Sequence, residues 1–363
     1  MIVGVPKEIM VDENRVAITP GAVTAFVNRG HQVLIEKGAG RGSGIEDAEF
    51  IHYGARIVPT AGELYERAEF IYKVKEPQPA EYDLLREGQI LFAYLHLANE
   101  PEVAHMLMKK NVAALAYETV VINGTIPMLA PMSEIAGRMA TQIGAHFLEK
   151  SNGGIGILLG GVPGVNPANV VILGGGIVGT NAARVAMGMG ARVTVIDNNV
   201  ERLRYLDETN GGRLLTLYSN PQTVARAVAK ADLLIGAVLI PGGRTPVLCT
   251  RKMVETMRPG TVIVDVAIDQ GGCIETADHT TSHSSPTFEC CGVLHYAVSN
   301  IPGAVPRTST YALNNATLPF ALELADKGCE RIIAEKAPLS GGINIYDGRV
   351  VNKAVAEALK PSS

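Results

Sequence analysis

Cysteine is scarce: the chain of 363 residues holds five, Cys249, Cys273, Cys290, Cys291 and Cys329. They are too few and too irregularly spaced for a disulfide framework or a zinc site. Cys290 and Cys291 are adjacent and pair only under strain, so free thiols in a cytoplasmic setting are the expectation. No basic block interrupts a chain of net charge −4, which sets aside nucleic acid and anionic membranes as partners. No apolar run approaches the roughly 20 residues needed to cross a bilayer. The opening MIVGVPKE reads as a strand entering a polar turn, without the apolar centre of a signal peptide. Short-period repeats and low-complexity segments are missing too. With 47% apolar and 19% charged residues, there is material for two buried cores, and the length suggests two domains.

What the chain does have is glycine in a telling place. The apolar run Val170, Val171, Ile172, Leu173 meets Gly174, Gly176 and Gly179 in a G-x-G-x-x-G spacing. A helix-like stretch follows, then a second apolar run over 193–196 that ends at Asp197. This is the order of a dinucleotide-binding β-α-β unit. The first Gly makes the tight turn, the second admits a pyrophosphate against the backbone, and the third lets the helix pack on the sheet. The helix N-terminus presents free N–H groups to the phosphates. Asp197 lies 18 residues after Gly179, where an acid bonds the ribose 2′-hydroxyl and repels a 2′-phosphate, which favours NAD over NADP. Taken alone the glycine spacing is a weak signal, but strand, helix and acid agree with it.

Elsewhere short strands alternate with helices, so a mostly parallel sheet is expected. The first stretch offers strands at 2–5, 32–36, 70–74, 89–94 and 112–116. Helix signals lie between them, at Thr19 with Pro20, at Thr60, and at Pro101. Pro131-Met-Ser-Glu134 opens a long helix to about Lys150, with Ser133 as its N-cap, and a helix is expected from Thr310 to Lys327. Further strands fall at 213–217, 233–238 and 262–268. The fold class is therefore α/β, with two Rossmann-like parallel-sheet domains. An NAD-binding domain at 129–305 is inserted into a discontinuous substrate domain made of 1–128 and 306–363, with the long helices as connectors.

In open parallel sheets, ligands bind beyond the carboxyl ends of the strands. Arg15 follows the first strand, Lys75 follows 70–74, His96 follows 89–94 and Asp269 follows 262–268. These four are expected to face one cleft and suit oxidation of a small amino acid. Arg and Lys hold a carboxylate, and a His titrating near neutrality moves protons. Each has a plainer reading: Arg15 and Lys75 as surface charges, His96 as a satisfied core histidine, Asp269 as a turn cap before Gly271 and Gly272. His31, His52, His105 and His146 read as structural, and the spacing of His279, His283 and His295 is not a metal pattern.

The segments Arg15-Val-Ala-Ile-Thr-Pro20, Lys73-Val-Lys-Glu-Pro77, Tyr94-Leu-His-Leu-Ala98, Pro131-Met-Ser-Glu-Ile-Ala-Gly-Arg138, Gly160-Gly-Val-Pro-Gly164, Val264-Asp-Val-Ala-Ile-Asp-Gln-Gly-Gly272 and Pro302-Gly-Ala-Val-Pro306 together resemble the alanine dehydrogenase family. The resemblance runs from Met1 to about Lys327. It implies an NAD-dependent, reversible conversion of L-alanine to pyruvate and ammonia. By matching position it casts Arg15 and Lys75 as substrate binders and His96 and Asp269 as the catalytic pair. On the same basis Ser133, Val178, Asp197, Arg202, Ser219, Val238, Leu239, Ile268, Asp269, Val298, Asn300 and Ile301 join the glycines as NAD contacts. It further implies a homohexamer. The stretch 276–288 departs from the family pattern: Asp278 and His279 stand where a basic residue is usual, with an apparent insertion.

Three rival readings remain. The nucleotide-binding subunit of a proton-translocating transhydrogenase is similar across the same motifs, but it has no need of a keto-acid site such as Lys75 and His96. A dehydrogenase forming a longer secondary amine is the second. A non-catalytic NADH-binding protein is the third, and turnover of pyruvate with ammonium separates it from the rest.

Overall fold

The computed structural model describes residues 1–238 and 245–359. Its strands in chain order are β1 (Ile2–Val5), β2 (Gln32–Glu36), β3 (Arg56–Val58), β4 (Phe70–Tyr72), β5 (Ile90–Ala93), β6 (Ala113–Ala116), β7 (Asn169–Leu173), β8 (Arg192–Asp197), β9 (Leu215–Tyr218), β10 (Leu233–Gly236), β11 (Val262–Asp265), β12 (Thr287–Cys290), β13 (Val293–Tyr296), β14 (Ile343–Tyr346) and β15 (Arg349–Val350). Central strands such as β5, β10 and β11 are buried at every residue. That is why they read as continuous apolar runs: helices cover both faces of a parallel sheet.

The chain resolves into two compact units, one of residues 1–132 with 305–363, the other of 133–304. In the first, the sheet order is β15-β14-β6-β5-β4-β1-β2-β3. In the second it is β12-β13-β11-β10-β7-β8-β9. Numbered within each unit, the parallel strands of both follow the doubly wound order 3-2-1-4-5-6. The topological switch points therefore lie between β1 and β4, and between β7 and β10.

Neither sheet is wholly parallel. β14 runs antiparallel to β6 and β15 to β14, and β12 runs antiparallel to β13. The β12–β13 and β14–β15 connections are two-residue turns, and such turns join only antiparallel neighbours. β3, β12, β13, β14 and β15 are not among the strands expected from the sequence, and several strands are shorter than expected, β11 ending at Asp265 rather than Ile268.

Helix starts show where local signals hold. Thr60 caps its helix, accepting from the Glu63 N–H at 3.3 Å. Thr19 does not cap; its hydroxyl donates instead to Asn314 Oδ1 at 2.6 Å. Ser133 is not an N-cap either. The helix runs Ala130–Phe147 and is entered through a turn in which Leu129 and Ala130 both donate to the Ile126 carbonyl. Pro131 then sits in the first turn, where its missing N–H is no loss. The late helix begins at Pro306 and continues to Ala334, but its backbone leaves helical values at Gly328, with φ 71°. That is the residue after the expected end.

Candidate active site

The four residues selected at strand ends divide between the units: Arg15, Lys75 and His96 in the first, Asp269 in the second. In the first unit, the loops after β1 and β4 leave the sheet at its switch point, and the loop after β5 is their neighbour.

Arg15 is no surface charge. It is 3% exposed, and its guanidinium takes both oxygens of Glu13, Nε to Oε1 at 2.7 Å and Nη2 to Oε2 at 2.5 Å. Nη1 also reaches Met132 Sδ at 3.2 Å. Burial opposes the charge of each partner. The bidentate pair outweighs it in both, lowering the Glu13 pKa and raising that of Arg15. Lys75, only part-buried, adds its charge to the field that keeps Glu13 ionised. Two cations thus gather about one buried carboxylate at the switch point. With one carboxylate between two cations, the cluster keeps a net positive charge, which suits a small carboxylate ligand.

Lys75 is positioned by a network that sequence reading missed. Glu8 accepts from the backbone N–H of Val74 at 2.7 Å and of Lys75 at 3.4 Å. Glu8 in turn pairs with Lys73, whose Nζ lies 3.2 Å from Glu8 Oε2 and 2.8 Å from Glu81 Oε1. Tyr65 donates to the same Glu81 oxygen at 2.8 Å. Lys73 is fully buried. The clue in the sequence was a lysine between the apolar Tyr72 and Val74, at the end of a buried strand.

His96 is not a core histidine. Its ring stacks parallel to Tyr94, 5.9 Å between centroids and 7° apart in plane. Tyr94 is buried, donates to the Met128 carbonyl at 2.6 Å, and lies in the field of Arg15. The His96 side chain is 41% exposed. Its backbone sits at φ +47°, a left-handed conformation that costs a non-glycine residue about 1–2 kcal/mol. Glu118 holds that conformation by accepting the His96 N–H at 2.6 Å, and its Oε1 lies 4.0 Å from Nδ1. An exposed imidazole on a strained, clamped backbone is a pattern of functional sites.

In the second unit, Asp269 lies on a short turn, Ile268–Gln270, beyond β11 and is exposed. The turn is anchored by Asp265, which sequence reading also missed. Its Oδ1 accepts from Ala267 N–H at 3.0 Å, and its Oδ2 from Cys273 and Ile274 N–H at 2.9 and 3.2 Å. Burial pushes the Asp265 pKa up to about 6, although the three N–H bonds pull the other way. The clue was an acid closing an otherwise apolar strand.

The glycine turn has the shape a pyrophosphate needs. Gly174 has φ +100°, and a Cβ there would stand 2.7 Å from the Ala237 carbonyl oxygen. At Gly179 a Cβ would lie 1.9 Å from the Gly174 carbonyl oxygen, so only glycine lets helix and turn touch. Among the described residues nothing lies within 4 Å of where a Cβ of Gly176 would stand, which leaves the first turn of the Ile177–Gly188 helix approachable. Asp197 ends β8 and accepts from Gly175 N–H at 2.6 Å and Asn199 N–H at 2.8 Å. Its carbonyl receives Ser219 N–H at 2.9 Å. Arg202 closes over the turn, bonding the Gly175 carbonyl and Thr180 Oγ1, each at 2.5 Å.

The remaining expected contacts also fall in this unit. Val178 and Val238 are part-buried beside the cradle, and Asn300 sits at φ +59°. Ser133 lies within the first turn of its helix. Ile268, Val298 and Ile301 are buried in apolar clusters of the unit, so their backbones, more than their side chains, are available to a ligand. Leu239 lies outside the described residues. The divergent stretch is tied down locally: His279 pairs with Asp278 at 2.6 Å and faces Phe288, and His283 reaches the Asn300 carbonyl at 3.4 Å.

Residues 4–136 match the profile of the alanine dehydrogenase/PNT N-terminal domain, and residues 140–353 that of the C-terminal domain. An alanine dehydrogenase of Methanococcus maripaludis is 58% identical over 99% of this chain and 96% of its own length. Among solved structures, an L-alanine dehydrogenase superposes with a TM-score of 0.95 at 52% identity, covering 99% of both chains. A transhydrogenase from Sinorhizobium meliloti superposes at 0.84 with 26% identity, covering 98% of this chain and all of that one.

Proposed function

The chain belongs to the alanine dehydrogenase/PNT family, and from that premise we infer that it is an NAD-dependent alanine dehydrogenase, converting L-alanine and water reversibly to pyruvate and ammonia. The observation that carries this reading is the pairing of a buried guanidinium with a lysine and an exposed imidazole around one sheet switch point. A protein that only held nucleotide would have no use for such a cluster. The twofold higher identity to alanine dehydrogenases than to the transhydrogenase favours the same side.

The cradle of Gly174, Gly176 and Gly179, with Asp197 at the ribose position, fits NAD, and Ser133, Val178, Arg202, Ser219, Val238, Leu239, Ile268, Asp269, Val298, Asn300 and Ile301 extend the contact. When bound, NAD supplies the acceptor for the hydride leaving the substrate Cα. The side chains handle charge and protons. Arg15 and Lys75 grip the substrate carboxylate and carbonyl oxygen, and Glu13 keeps the guanidinium fork in one orientation. His96 takes the proton of the attacking water and returns one to the leaving amine, so the same group serves both directions. Asp269 orients the water or the amine. The proposal extends to a homo-oligomer, a hexamer by family resemblance, working in the cytoplasm. Among the described residues no helix is long and apolar enough to cross a membrane.

The test is NADH consumption by the purified protein with pyruvate and ammonium together and with each omitted. Absorbance loss only when all are present is the expected result. NADH binding without turnover would overturn the reading in favour of a nucleotide-binding role.

A further inference from the structure

At the opposite edge of the second unit's sheet lies a cluster that none of this chemistry uses. β12 ends at Cys290, and β13 begins at Val293, paired with it. The two residues between them, Cys291 and Gly292, have φ +56° and +76°. A two-residue hairpin turn with both central residues left-handed favours Asn, Asp or Gly at the first position. Here a cysteine holds that strained position, and the preceding residue is also a cysteine. The two sulfurs are 3.5 Å apart. Arg251 reaches over from the start of its own short helix and donates from Nη1 to Cys290 Sγ at 3.3 Å and to Cys291 Sγ at 3.6 Å. Cys291 is exposed and Cys290 part-buried, whereas Cys249, Cys273 and Cys329 are buried. β13 runs parallel to β11, so this turn sits at the amino edge of the sheet, away from the glycine cradle.

We propose that Cys290 and Cys291 form a vicinal dithiol site for a soft, thiophilic trivalent centre, represented by a trivalent organoarsenical, with Arg251 holding the two sulfurs together. Both sulfurs already lie on one side of the turn. A direct disulfide suits the pair less well: it closes the sulfurs to about 2.05 Å and normally spans Cα atoms about 4.4–6.8 Å apart, while sequence neighbours are fixed at about 3.8 Å. A pyramidal centre with a narrow S–As–S angle bridges the sulfurs near the spacing they already have. The reaction is a condensation without redox change. In R–As(OH)2, two As–O bonds break and two As–S bonds form. Each thiol proton leaves with a hydroxide as water, giving one cyclic dithioarsonite and two waters.

The probe is phenylarsine oxide added to the intact protein, followed by mass spectrometry and a count of maleimide-reactive thiols. One adduct per chain with loss of two reactive thiols is expected, reversed by a small dithiol but not by excess monothiol. Cys290→Ser and Cys291→Ser should each abolish the monothiol-resistant adduct. Arg251→Gln should weaken it about tenfold, the scale of a lost charge-assisted hydrogen bond. Unchanged dehydrogenase turnover in these variants, which touch no catalytic group, certifies the fold. A monothiol-resistant adduct that survives in either serine variant, or no such adduct on the parent protein, overturns the proposal.

Discussion

The two units share one strand order and spend it differently. In the first, the loop leaving the strand at the switch point is long and brings in a side chain: Arg15, buried and clamped by Glu13. In the second, the corresponding loop is little more than Gly174, Gly175 and Gly176, and it offers backbone. The loops after β4 and β10 repeat the contrast, with Lys75 in one and Val238 in the other. The proposed substrate is a small carboxylate, which calls for a cation held still, and at its switch point the first unit has buried charge. A dinucleotide is recognised by free N–H groups and a helix terminus, so the second removes side chains from the approach. On the proposed function, the same topology serves a charged ligand in two ways, and the choice is written in loop composition.

Four measurements sharpen or break this contrast, taken from the largest expected effect to the smallest. His96→Ala should lower kcat by about 10²–10⁴-fold, the usual range for a lost proton-transfer group, while NADH binding stays near normal. Near-parental kcat would remove His96 from the chemistry.

Arg15→Met should destabilise the protein by about 3–5 kcal/mol in urea titrations, because the buried Glu13 carboxylate loses its bidentate guanidinium partner. Adding Glu13→Gln should restore most of that stability without restoring activity on pyruvate. Recovery of both would mean the pair is structural only.

Asp265 gives a pH signature to the second unit. Its folded pKa of about 6 lies above the ordinary value of 3.8, so between those values the folded state keeps a proton that the unfolded chain has lost. Stability from this group is therefore full at low pH, falls as pH rises from about 4 to about 6, and is flat above. The total is about 3 kcal/mol for a shift of about two pH units. Asp265→Asn should erase that slope relative to the parent, and an unchanged slope would show that the carboxylate titrates normally.

Asp197→Ala should move the ratio of kcat/KM for NAD over NADP by about tenfold toward NADP, the equivalent of about 1.4 kcal/mol. Identical ratios would reduce Asp197 to a turn-forming acid that serves only Gly175 and Asn199.

Much of the candidate site is legible in the sequence because its signals are short-range. The glycine spacing states a backbone requirement directly, and Arg15, Lys75, His96 and Asp269 follow apolar runs that ended nearly where the strands do. What stayed hidden depends on distant partners. Thr19 has the residue type and position of a cap, yet its hydroxyl is taken by Asn314, brought in by the far end of the chain. Ser133 has the right type one turn too late, because the helix is started by the Ile126 carbonyl. The burial of Arg15 and the Glu8–Lys73–Glu81 cluster arise only when loops close over the sheet. The β14–β15 hairpin was readable in principle: Asp347 and Gly348, at φ +51° and +67°, are a standard left-handed turn pair between apolar segments.

That last hairpin bears on how the protein is made. The second unit is one continuous stretch, complete once residue 304 has emerged, and can fold while the ribosome is still working. The first unit cannot. Its β6 remains an uncovered sheet margin until β14 arrives to pair with it, after the whole intervening unit has been synthesised. During that interval the nascent chain carries an open, apolar strand edge of the kind that invites mispairing. Chaperone dependence should therefore map to the first unit, and truncation before residue 343 should yield aggregates in which the second unit is still folded.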